Sequence, residues 1–266
     1  MKPSQIALIQ WEPGDGISRV IQHELEVLGY AVQPFLWNQP PPAGAASVLS
    51  FAPYGKFLHI PKKLAQLPPE TRPRFIHWNF ESLPNLNLPT PLLLRLGALR
   101  SWAGRLSDTS DSILGLPTHR PPLSSLRLRA NKYKYLGDYH YGWQHGWIDL
   151  LADISQVFSQ FHQRLGVGAR YIPWGTPPEW HADLRLERDI DVLWFGKRRT
   201  RRRGLLLDAV TGALRQRGVK LYIADGIERP FIFNEERTAI LNRAKITLNL
   251  LPRWYDPALI FRFHMA

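Results

Sequence analysis

The sequence contains no cysteine, which excludes a disulfide scaffold, a thiolate zinc site and a cysteine nucleophile. That absence fits a reducing compartment. No apolar run approaches the ~18 residues a membrane-spanning helix needs. The apolar stretch in the N-terminal MKPSQIALIQWEPGDG is too short for a signal peptide and runs into Pro13 and Gly14. Acidic side chains are in deficit: 22 Asp and Glu stand against 34 Lys and Arg, a formal net charge of +12. No repeat is visible beyond a shared strand–helix rhythm. What is present is 44% hydrophobic and 21% charged residues over 266 positions, the balance of a folded chain with one large or two modest domains. These features predict a soluble, cytoplasmic protein with anionic partners: nucleic acid, phosphorylated small molecules or an anionic membrane surface.

The positive charge is concentrated late in the chain, where residues 197–203 read KRRTRRR. The order of elements predicts an α/β fold with a mostly parallel sheet. Runs at 6–11, 31–37 and 74–80 read as strands, 47–55 as a strand and turn, and 17–28, 56–67 and 92–106 as helices. Residues 108–130, rich in Ser, Pro and Arg, read as an irregular connection. The segment from 132 is unusually aromatic, 157–166 reads as a helix and 169–180 as a strand running into a Pro-rich turn. Gly175, Pro177 and Pro178 mark a boundary, giving domains at 1–180 and 186–266. A second α/β series follows, with strands at 189–196, 219–225 and 245–251. Its helices are expected at 204–218, 234–244 and from 258.

Two α/β domains, each opening with a strand and a Gly-containing turn, are the outline of a GT-B glycosyltransferase. The stretch DIDVLWFGKRRTRRRGLLLDAV resembles the start of the donor-binding domain in the group 1, family 4-like enzymes. EERTAILNRAKITLNLL followed by FRFHMA resembles its later part, especially in the CgeB-like branch. The N-terminal half matches only in outline, through WEPGDGISRV, HWNFESLP and ADIS…YIPWG. The resemblance implies two Rossmann-like domains, the second incomplete, and metal-independent sugar transfer from a nucleotide-sugar donor to an acceptor hydroxyl without a further cofactor. It also implies that Asn249 and Arg262 line the donor cleft. If Arg262 is the family's arginine, the paired carboxylates of the family fall on Met265 and Pro257, with Asp256 adjacent to the second. The acceptor is an unknown glycan, lipid or protein.

The residues themselves support part of this. A glycine at the carboxyl end of a parallel strand, Gly196, admits a ligand close to the backbone. The helix that follows offers unpaired N–H groups to an anion. Lys197, Arg199 and Arg203 can then neutralise a diphosphate. A solvated basic loop and a nucleic-acid phosphate patch are the competing readings of the same run. Gly14-Asp15-Gly16 lies between the first strand and helix but lacks the third glycine of a dinucleotide fingerprint, so a plain turn is equally consistent. His77 and Glu81 follow or end a strand, where either can serve proton transfer or orient the acceptor hydroxyl, or be an interior histidine and a surface charge.

Six aromatic residues between Tyr133 and Trp147 can stack on sugar rings or pack a core. His140 and His145 have no carboxylates at helical spacing, so no metal site is expected. The leucine-rich helix 92–106 carries Arg95, Arg100 and Arg105. Its residues Leu92, Leu96, Leu99, Ala103 and Leu106 form either a packing stripe or a face for peripheral contact with an anionic membrane. A non-catalytic nucleotide-sugar- or glycan-binding relative and a nucleic-acid-binding protein are the alternatives to the enzyme.

Overall fold

The computed structural model describes residues 5–10, 16–51, 58–81, 83–106, 112–113, 116–117, 123–175, 182–198 and 200–251. The chain divides into two compact units, Met1–Pro173 and Trp174–Ala266.

The first unit is built on β1 (Gln5–Gln10), β2 (Ala31–Leu36), β3 (Ser47–Phe51), β4 (Arg74–Asn79), β7 (Leu150–Asp153) and β8 (Ala169–Tyr171). Every pair is parallel and the order is β2-β1-β3-β4-β7-β8. Such a sheet is covered on both faces, so its strands are apolar with little alternation. Ala7, Leu8 and Ile9 of β1 are all buried. Pro34, which cannot donate to a ladder, sits in the edge strand β2. The helices are α1 (Gly16–Val27), α2 (His59–Leu64), α3 (Thr90–Leu106), α4 (Leu123–Gln144) and α5 (Gln156–Arg164). A two-strand antiparallel pair, β5 (Ser112–Ile113) and β6 (Leu116–Pro117), lies between α3 and α4. The connection from β2 to β3 crosses β1 as a loop at 37–46.

Two expectations change here, and one open choice is decided. The segment 108–130 was expected to be irregular, but α4 begins at Leu123. The same helix carries the aromatic run, and its rings serve the core. Tyr139 is fully buried, while Tyr133, Tyr135, Tyr141, Trp143 and Trp147 pack around the cluster that includes Phe75, Leu93, Leu136 and Leu151. The other change is in α3. Its buried residues are Leu93, Gly97 and Ser101, whereas Leu92, Leu96 and Leu99 of the expected packing stripe face water. Close approach of α4 is the cause. A side chain added at Gly137 would place its Cβ 2.0 Å from the carbonyl oxygen of Gly97, so the crossing selects small residues. Asp138, buried beside it, accepts from Ser101 Oγ at 2.6 Å and Lys134 Nζ at 2.5 Å.

The second unit holds a three-stranded parallel sheet in the order β10-β9-β11: β9 (Ile190–Phe195), β10 (Leu221–Ala224) and β11 (Ala244–Thr247). Helices α6 (Arg201–Arg215) and α7 (Asn234–Arg243) alternate with these strands. Leu193 and Trp194 of β9 are fully buried. Both units are α/β and parallel, and the larger sheet is Rossmann-like. Among the described residues no helix is long and apolar enough to cross a membrane.

Candidate functional site

In the second unit the candidate site is the carboxyl end of β9, the middle strand. Its apolar run stops at Gly196, whose φ of +129° suits glycine and strains other residues. The Gly196 N–H donates to the Ala224 carbonyl at 3.0 Å. Lys197 follows, exposed, with its ammonium 5.9 Å from the Phe231 ring centroid. Thr200 is the cap of α6: its backbone is extended and its hydroxyl accepts the Arg203 N–H at 3.3 Å.

The cap moves the helix start to Arg201, three residues before the expected Gly204. Arg201, Arg202 and Arg203 therefore fill the first turn, which has no acidic residue. Cations at this end oppose the helix dipole by about 0.3–1 kcal/mol each.

Arg203 differs from its expected role. It is only 8% exposed, and its Nε and Nη1 donate to the carbonyls of Leu250 and Lys197, both at 2.9 Å. Capping at Thr200 puts position 203 on the inner side of the first turn. Its guanidinium thus ties the loop after β9 to the segment after β11. Arg201 and Arg202, expected to lie in a loop, are the exposed cations of the turn.

Sequence reasoning missed Arg198. Its guanidinium bonds Asp225 at 2.8 Å, Glu228 at 2.7 Å and Asp208 at 3.2 Å. Burial pushes the Asp225 carboxyl up, but the N–H groups of Glu228 and Ile227 and the Arg198 guanidinium outweigh that and hold it below its ordinary value. These partners come from β10, its following turn and α6, so no local spacing announces them. Asn249 is half-buried between Leu248, whose N–H donates to Leu193 O at 2.8 Å, and Leu250, the acceptor of Arg203. Gly196, Lys197, Arg203 and Asn249 thus share one end of the sheet. Arg199, Asp256 and Arg262 lie outside the described residues.

In the first unit the strand order reverses between β1 and β3, the position where open α/β sheets bind ligands. Gly14 falls outside the described residues. Gly16 opens α1 and is exposed. A side chain added there would meet nothing within 4 Å among the described residues, so packing does not require glycine.

At the ends of β4 and β7 lies a buried polar chain. Residues 75, 77 and 79 of β4 point to one face, and all three are fully buried. The His77 ring nitrogens contact Ser50 Oγ at 3.2 Å and Tyr139 Oη at 3.3 Å. Tyr139 Oη donates to Asn79 Oδ1 at 2.8 Å, and Asn79 Nδ2 donates to Asp153 Oδ2 at 2.7 Å. Asp153 also accepts from the Ser155 N–H at 2.7 Å.

Burial sets the charges in this chain. It holds His77 neutral, at about 3, and pushes Asp153 up to about 7, while the bonds from Asn79 and Ser155 pull the other way. The Tyr139 phenol is raised well above its usual range, first by burial. His77 is thus an interior histidine, bonded on both nitrogens, as one of its two sequence readings has it. Glu81 is exposed just beyond β4, with its backbone N–H and carbonyl bonded by the Asn79 side chain. Asp153, which the sequence did not single out, is the carboxyl group whose protonation falls near neutrality.

His140 Nε2 and both nitrogens of the fully buried His162 have no hydrogen-bond partner among the described residues. The two rings lie 5.4 Å apart. Among the described residues no group of three or more metal-ligating side chains comes together. No protein-family model, curated protein or solved structure matches this chain.

Proposed function

We propose that the chain is a glycosyltransferase that uses a nucleotide-sugar donor, with the donor diphosphate at the carboxyl end of β9. The observation that carries this reading is the cationic start of α6, directly after a glycine at φ +129° on the middle strand. Lys197, Arg201 and Arg202 supply the charge there, and Arg203 holds the backbone that presents it. During transfer the leaving nucleoside diphosphate gains negative charge, so fixed cations and helix N–H groups stabilise the transition state without a metal. Asn249, on the same end of the sheet, lines the nucleotide. Glu81, exposed beyond β4, replaces His77 as the group to orient an acceptor hydroxyl. The reading carries with it the GT-B arrangement implied by the resemblance of residues 189–266.

A melting scan with UDP, GDP and ADP tests the proposal. A ligand at 100 times its Kd adds about 2.7 kcal/mol. No shift with any of the three, in the folded protein, removes the reading. The exposure of Arg201 and Arg202 also suits a nucleic-acid backbone. That alternative expects no nucleotide shift and oligonucleotide binding that falls steeply with salt. Donor turnover with simple acceptors separates an enzyme from a binding relative.

A further inference from the structure

Helix α3 has two nonpolar faces, and only one of them is covered. Leu93, Gly97 and Ser101 lie buried on one side. On the other, Leu92, Leu96, Leu99 and Trp102 recur at helical spacing and remain in water, Leu99 being 61% and Trp102 54% exposed. A continuous apolar ridge of this kind marks a surface with an occupant.

Charge selects the occupant. Helix α3 carries Arg95, Arg100 and Arg105 and no acidic residue. Of these, Arg95 is exposed and Arg100 is half-buried. A second copy of the chain would set arginines against arginines, with no carboxylate on the helix to pair them. An anionic surface meets both features.

We propose that this face of α3 is a docking surface for an anionic phospholipid bilayer. Leu92, Leu96 and Leu99 enter the apolar edge of the interface, and Trp102, with its amphipathic ring, sits at headgroup level. Arg95 and its basic neighbours draw the surface in through the headgroup charge. Beside the ridge, Leu94, Ala98, Ser101 and Arg105 follow one another along α3 and, with His140 and Gln144, line a cavity of about 180 Å³. There Arg105 is stacked 3.7 Å over the Tyr141 ring and donates to Ser101 Oγ, so it serves the α3–α4 packing and Arg95 remains the exposed cation of the ridge.

The test is flotation of the full chain with vesicles of phosphatidylcholine alone and of phosphatidylcholine mixed with phosphatidylglycerol. The expected result is binding about tenfold stronger to the mixed vesicles, and released by salt. Leu99→Ser with Trp102→Ser is expected to keep the parent melting temperature, since both residues are exposed, and to lose about tenfold or more in binding. Arg95→Gln is expected to lose about fivefold. Equal binding to neutral vesicles, undiminished binding by the double variant, or no vesicle binding at all would overturn the proposal. So would concentration-dependent self-association that the double variant abolishes.

Discussion

The two sheets end in opposite ways. At the carboxyl ends of β4 and β7, polar groups satisfy one another: Ser50, His77, Tyr139, Asn79 and Asp153 form one buried chain of hydrogen bonds. At the carboxyl end of β9, Arg198 and Arg203 are fixed by carboxylates and carbonyls, while Lys197, Arg201 and Arg202 face water. The same position in two parallel α/β units is thus an internal polar core in one and an outward cationic surface in the other. Position at a strand end does not make a site. A site requires that charge be left over after the fold has used what it needs.

Asn79→Leu is the strongest way to break the first arrangement. It removes the donor to Asp153, the acceptor of Tyr139 and both contacts to the Glu81 backbone, leaving buried groups unpaired. A loss of about 3–5 kcal/mol is expected in urea unfolding of the first unit, with the nucleotide response of the folded protein unchanged. A loss below about 1 kcal/mol would show that water reaches the chain.

Acid should discriminate the two regions next. The His77 and His162 rings are held at about 3 and His140 at about 4, all by burial, against 6.5 when unfolded. Below pH 6.5 the unfolded chain therefore takes up protons that the folded chain refuses, and stability falls as pH falls. Asp153, pushed up to about 7, opposes this, because its folded form keeps a proton the unfolded form releases above 3.8. Asp138, whose carboxyl burial also pushes up, acts with Asp153, so three groups act against two and the first unit should lose on the order of 1–3 kcal/mol between pH 6.5 and 4.5. His162→Leu should flatten the profile. A stability constant over this range would mean that these histidines are solvated when folded.

The smallest effects sharpen the second arrangement. Arg203→Met should destabilise the second unit by about 1–2 kcal/mol, because the Lys197 and Leu250 carbonyls lose a charged donor. Arg201→Ala and Arg202→Ala should each change stability by less than about 0.5 kcal/mol. Either should nonetheless diminish the melting shift produced by a nucleoside diphosphate. Equal destabilisation by all three would show that the exposed arginines are structural too.

Much of the fold was legible from local pattern. The period of the apolar residues located α1, and Gly29 follows it at φ +85°. Runs bounded by Gly and Pro located β1, β3, β4 and β9. The Ser/Pro/Arg-rich stretch misled for a physical reason: its second part is the start of α4, a helix that depends on packing against α3 at Gly97 and Gly137. Composition cannot show a crossing between residues forty positions apart.

The sequence by itself determined the α/β class, the strand–glycine–basic pattern at 189–203 and the surplus of positive charge, because each follows from neighbours along the chain. Only the tertiary structure decided which of those charges remain available. Arg198 and Arg203 look no different from Arg201 and Arg202 in a run of arginines. The first two are fixed by Asp225 and by the Leu250 carbonyl, partners that parallel strand pairing delivers from 27 and 47 residues away. The surroundings of His77 were decided in the same manner, since Ser50 and Tyr139 reach it only in the folded unit. Hydrogen-bond partners and desolvation are properties of proximity in space, and a one-dimensional pattern holds them only when they lie within a turn or two.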